Sequence, residues 1–135
     1  MLRRGFDVYL TLVDDQQIDC VVRKEVSGEP IYLDIQIKAR SKDCNPRNAG
    51  TFAALEVRKP RPNFFFIFYS EQADCYWVLP STELVKEADQ NKSGKNAGKY
   101  RIVFTNLSRK TGLVSPRPRF EKYMNNFNIL RDYKG

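Results

Sequence analysis

The 135-residue chain contains no histidine. That absence removes Ser-His-Asp and Cys-His nucleophile systems, imidazole general bases and any zinc site that uses a histidine ligand. Catalysis, if present, has to use carboxylates, amides, Lys, Arg, hydroxyls, thiols or a metal held by oxygens. Cysteine is also scarce: Cys20, Cys44 and Cys75 are an odd number, widely spaced, with no C-x-x-C. A disulfide framework is not expected, and a reduced cytoplasmic setting is. Cys20 and Cys75 sit in or beside apolar runs and read as buried filler. Long hydrophobic runs are missing too. The most apolar stretch, residues 64–69, falls far short of the ~20 residues a spanning helix requires. Arg3 and Arg4 precede an apolar segment, but Asp7, Asp14 and Asp15 interrupt it, so neither a signal peptide nor membrane association is expected.

What is present is a basic, aromatic-rich chain. There are 23 Lys and Arg against 16 Asp and Glu, a formal charge of +7, with 41% hydrophobic and 13% aromatic residues. This composition suits one folded domain spanning 1–135, with a core large enough to stand without staples. The charge favours a polyanionic partner.

Hydrophobic periodicity predicts mostly strands in the first half. Phe6, Val8, Leu10 and Leu12 alternate with Asp7, Tyr9 and Thr11. Residues 14–17 read as a polar turn, 18–23 as a second strand and 27–30 as a turn. In the third strand Ile31, Leu33, Ile35 and Ile37 share one face, while Tyr32, Asp34, Gln36, Lys38 and Arg40 share the other. Residues 41–50 read as a loop, and 51–57 fit either a strand or a short helix. Residues 64–69 form a continuous apolar run, the pattern of a strand buried on both faces. A strand over 76–79 stops at Pro80. Ser81 is placed to cap a helix reaching about Gln90, with Leu84, Val85 and Ala88 as its stripe. A polar loop over 91–98 and a strand over 100–104 follow. After Pro116 and Pro118, the spacing of Phe120, Tyr123, Met124, Phe127 and Leu130 predicts a last helix. Its stripe suits core packing or a dimer contact. The fold class is α+β, a mixed sheet flanked by helices.

Two sets of residues bear on chemistry. If strands two and three form an antiparallel hairpin, Asp19 approaches the face carrying Gln36 and Lys38. One carboxylate and one amide carbonyl suit a hard, oxygen-seeking cation such as Mg²⁺. A neighbouring lysine can orient water or stabilise charge on a phosphoryl group. Basic residues cluster at loops, and Arg40, Lys42, Arg47, Lys95 and Lys99 are candidates for phosphate-backbone contact. A solvated basic surface is the plainer reading of the same clusters. Residues 92–99 miss the phosphate-loop pattern, since three residues separate the glycines and Tyr100 follows the last lysine. Phe64, Phe65, Phe66, Tyr76 and Trp77 read as strand core rather than base-stacking platforms.

The segments Gly5-Phe6-Asp7-Val8-Tyr9, Gln17-Ile18-Asp19-Cys20-Val21-Val22 and Tyr32-Leu33-Asp34-Ile35-Gln36-Ile37-Lys38-Ala39-Arg40 resemble the core of the PD-(D/E)XK restriction-endonuclease-like superfamily. The likeness is to the variant with glutamine at the acidic position of the E-x-K element. It extends in outline over residues 5–106. The resemblance implies a restriction-endonuclease-like mixed sheet and phosphodiester hydrolysis with Mg²⁺ or Mn²⁺ on DNA. It also implies roles: Asp19 as metal ligand, Gln36 as second ligand and Lys38 as the catalytic lysine. Asp34, on the same face, is expected to add a carboxylate, and Asp14 and Asp15 to approach from the turn. Family members carry a helix before the first strand, which is expected to be missing here because only residues 1–4 precede it. The alternative is a catalytically inactive nuclease-fold module that binds nucleic acid or mediates dimerisation.

Overall fold

Alternating polar and apolar residues in 7–10, 20–26 and 29–40 commit these segments to strands, and the strands assemble a mixed sheet. The computed structural model describes residues 7–10 and 18–135, with side-chain detail from residue 18 onward. The turn expected at 14–17, with Asp14 and Asp15, lies outside the described residues. Strands β1 (Asp7–Leu10), β2 (Cys20–Val26), β3 (Glu29–Arg40), β5 (Phe64–Ser70) and β6 (Cys75–Pro80) form a five-stranded sheet in the order β1-β2-β3-β5-β6. Every pairing is antiparallel except β3 with β5, which is parallel. The intervening β4 (Thr51–Leu55) belongs to the crossover between those two strands and pairs in a three-stranded sheet of order β4-β8-β7. In that sheet β7 is Asp89–Gln90 and β8 is Tyr100–Val103. A third, two-stranded sheet joins β9 (Thr105–Leu107) to β10 (Val114–Pro116).

The predicted doubly buried strand is the centre of the molecule. Phe64, Phe66 and Phe68 point to one face of β5, where they meet Trp77 and Leu79 of β6, Phe52, Leu55, Ile102, Phe104 and Leu84. Phe104 stacks on Trp77 at 4.7 Å and lies 5.0 Å from both Phe68 and Phe120. Phe65 and Ile67 point to the other face, with Val22, Leu33, Ile35, Val78 and Leu130. Each fully buried side chain of this size contributes roughly 1.5–3 kcal/mol relative to exposure. The first face is therefore covered mainly by a small second sheet, a role the sequence reading assigned to helices. Residues 51–57, left open between strand and helix, are strand up to Leu55, with a bulge at Ala53–Ala54 where Ala54 has φ +53°. Gly50 allows the small sheet to close: a Cβ there would meet the Thr105 side chain at 2.6 Å.

The expected helices are shorter than predicted. The first, α1, is Ser81–Glu87, because Asp89–Gln90 leaves the helix to pair with β8. Pro80 holds its N-cap position, and Ser81, expected to cap, is instead buried, its Oγ accepting from Arg61 N–H at 2.9 Å and donating to Arg61 O at 2.9 Å. The last helix is broken in two. A 3-10 segment covers Pro118–Tyr123, and α2 spans only Asn128–Asp132. Asn125 takes φ +53°, its N–H donates to Tyr76 O and its Oδ1 accepts from Tyr76 N–H. The break thus covers the exposed edge of β6, which a continuous helix would leave unpaired. The apolar stripe survives, with Phe120, Tyr123 and Leu130 buried. All three cysteines are free thiols, and no helix among the described residues is long and apolar enough to cross a membrane.

Candidate functional site on strand β3

The hairpin that positions the site is built by two residues. Ser27 and Gly28 carry φ +54° and +82°, and Val26 pairs with Glu29 across them. Two positive φ values match the right-handed twist of the flanking strands and set a two-residue turn. The register that follows puts Cys20 opposite Ile35, so Asp19 comes level with Gln36. Cys20 and Ile35 share the second core face, which leaves Asp19 and Gln36 on the opposite one.

Asp19 is tied to β3 on both sides of Gln36. Its N–H donates to Ile35 O at 2.8 Å, and its Oδ2 accepts from Ile37 N–H at 2.6 Å. Asp34 N–H donates toward β5, to Asn63 O, so alternation aims the Ile37 N–H at β2. The Asp19 carboxylate takes the place that a strand carbonyl would fill there. Its charge also adds to burial in pushing the Cys20 thiol above its ordinary value.

Gln36 is the unusual member of the row. It is 9% exposed, it pairs with Phe66 of β5, and its Oε1 has no hydrogen-bond partner among the described residues. A buried carbonyl left in that state costs about 1–3 kcal/mol. Lys38, half-buried, is next but one on the same face and opposite Phe68. A carboxylate, an orphaned amide oxygen and an ammonium thus share one face of two adjacent strands.

Of the other expected site residues, Asp34, Arg40 and Lys99 have assigned partners. Asp34 forms an ion pair with Arg61 Nη2 at 2.6 Å, and the Arg61 guanidinium lies 4.8 Å from the Phe64 ring. The local sequence signal for Arg61 is its place between Pro60 and Pro62, which stiffen the approach to β5. Arg40 Nε donates to Thr51 O at 2.8 Å and so ties β3 to β4. Lys99 pairs with Glu56 at 3.6 Å, and Arg58 first, then Lys99, hold the Glu56 carboxyl below its usual range. Lys42, Arg47 and Lys95 are exposed. Among the described residues no three Cys, Asp or Glu side chains gather into a metal-binding group, so any cation at β3 leans on Asp19 together with the neutral oxygen of Gln36.

A scan against protein-family models and a search of curated proteins find no match. Among solved structures the chain is similar to a bacterial homing endonuclease, I-Ssp6803I, with a TM-score of 0.56 and 20% identity. The likeness covers 96% of this chain and 81% of that one. At this identity it is a likeness of fold, and the chain has an α+β, nuclease-like fold.

Proposed function

We propose that the chain is a metal-dependent nuclease domain of the PD-(D/E)XK type, acting on DNA through Asp19, Gln36 and Lys38. The observation that carries this reading is the buried, unpartnered Gln36 Oε1 level with the Asp19 carboxylate. Both are hard oxygen donors, the type that Mg²⁺ or Mn²⁺ takes while keeping several waters. When bound, such a cation supplies Lewis-acid polarisation of a phosphodiester and lowers the pKa of a water.

The protein's own residues have separable tasks. The two bonds between Asp19 and the β3 backbone fix the carboxylate in one orientation. Gln36 contributes an oxygen already stripped of water, so little reorganisation accompanies binding. In this reading Lys38 holds an attacking water by hydrogen bonding and stabilises charge that develops on a non-bridging phosphate oxygen. None of these tasks requires histidine. Asp34 stays outside the set in this reading, held by Arg61. The nuclease-like fold and the +7 charge support a nucleic-acid substrate.

The test is nicking of supercoiled plasmid. Wild-type protein should nick with Mg²⁺ or Mn²⁺ and stop in EDTA, and Lys38→Ala should lose about a hundredfold or more. Equal nicking by both proteins would refute the assignment. One observation favours a second reading, a nuclease-fold module that binds without cutting: Asp19 is the single carboxylate of the set. That reading predicts salt-sensitive DNA binding with no nicking in either protein.

A further inference from the structure

A concave surface lies on the small-sheet side of the molecule. It is an open cleft of about 900 Å³ whose lining includes Arg47, Arg101, Arg109, Arg117 and Arg119. Four of these five arginines are exposed and Arg117 is half-buried. Glu87 and Asp89 also line it, which leaves an excess of three positive charges on counting five arginines against two carboxylates. Asp89 stands opposite Arg101 in the β7/β8 ladder, yet no ion pair forms within the cleft among the described residues. Two guanidinium groups are held by neutral acceptors: Arg117 Nε donates to Asn106 Oδ1 at 2.9 Å, and Arg119 Nη2 donates to Glu87 O at 3.2 Å. None of these guanidinium groups is neutralised by a carboxylate among the described residues, and the planar fork of Arg matches a phosphate.

We infer that this cleft binds the phosphate backbone of a DNA duplex, as a site separate from Asp19, Gln36 and Lys38. The inference rests on the nuclease reading for its choice of polyanion. Two features of the cleft narrow the ligand. Among the described residues its only aromatic lining residue, Phe120, is 2% exposed, so they offer no ring for an unstacked base, as single-strand binding would need. The cleft is also connected to the candidate site along one strand. Arg40, on the same face of β3 as Gln36 and Lys38, bonds Thr51 O, and Thr51 lines the cleft. Gln36 and Arg40 are four residues apart on a strand, on the order of 13 Å. That is about four base-pair steps of duplex at 3.4 Å each. The Arg40–Thr51 bond therefore joins the rim of the cleft to the strand that carries Gln36 and Lys38.

The test measures affinity for a duplex by fluorescence anisotropy between about 50 and 200 mM salt. Arg101→Gln/Arg109→Gln removes two charges whose side chains make no bond to the described residues, and thermal melting checks that the variant folds. Its log-log salt slope should fall by about 1.8, from roughly 0.9 per phosphate contact. The control Lys59→Gln/Lys134→Gln removes the same charge from exposed positions outside the cleft. Equal losses in the two variants would overturn the inference, as would tighter binding of a single strand than of the duplex. The nuclease reading fails separately. If Arg101→Gln/Arg109→Gln binds as wild type while Lys38→Ala stops nicking, only the cleft assignment falls. If Lys38→Ala nicks normally while the arginine variant alone loses slope, the cleft assignment stands.

Discussion

The orphaned oxygen of Gln36 gives a prediction that reads stability and metal binding in one experiment. Gln36→Met keeps the length of the side chain and its packing over the Phe66 row while removing the polar atoms. In EDTA the wild type carries a buried carbonyl without a partner, a cost of about 1–3 kcal/mol. The variant should be more stable by that amount. With an unfolding entropy of ~2.1 cal/mol/K per residue, 135 residues give roughly 280 cal/mol/K, so Tm should rise by roughly 4–11 °C. Adding Mg²⁺ should then narrow that gap. At ten times its dissociation constant, the cation stabilises the wild type by about 1.4 kcal/mol and the variant not at all. Urea melts of both proteins, in EDTA and over a Mg²⁺ series, measure all four values. A variant less stable than wild type in EDTA would mean that the Gln36 oxygen is satisfied. A full Mg²⁺ response in the variant would mean that the oxygen holds no cation.

The remaining predictions separate structural charges from functional ones. Asp34→Asn breaks the 2.6 Å pair with Arg61, whose side chains are 19% and 34% exposed, and should cost about 1–3 kcal/mol in urea melts. Its Mg²⁺ stabilisation should equal that of wild type; a lost response would make Asp34 a ligand. Tyr123 tests the alkaline limit. Burial first, then Glu83, pushes its phenol well above the usual value. The unfolded chain releases that proton near pH 10, while the folded chain keeps it to higher pH. Above about pH 10 the unfolded state binds fewer protons, so this contribution to stability, complete below that pH, declines as pH rises. Tyr123→Phe should therefore lose less stability than wild type above about pH 10, and parallel pH profiles would contradict the burial of that hydroxyl.

The β3 row was readable because strand alternation is rigid: one polar face, one apolar face, and a Ser-Gly turn that fixes which residue of β2 stands level with Gln36. The doubly buried β5 was readable for the opposite reason, a run with no polar residue to mark an outer face. Long-range competition hid the rest. The stripe from Phe120 to Leu130 has helical spacing, but two hydrogen bonds to the β6 edge at Tyr76 outweigh continuation through Asn125. Asp34 looked equivalent to Gln36 and Lys38 by period. Only the loop entering β5, distant in sequence, brings Arg61 to it. The arginine cleft was equally invisible as a unit. Its members come from the 3-10 turn at residues 46–48, β8, the β9–β10 connection and the segment after β10, and only the fold gathers them.

The proposed metal site can be tested most directly by a crystal of the full chain soaked in Mn²⁺ and measured at the manganese anomalous edge. The expected result is a peak about 2.0–2.3 Å from both an Asp19 carboxylate oxygen and Gln36 Oε1. An ordered Gln36 side chain with no peak beside it, or Mn²⁺ bound only elsewhere, would contradict the assignment.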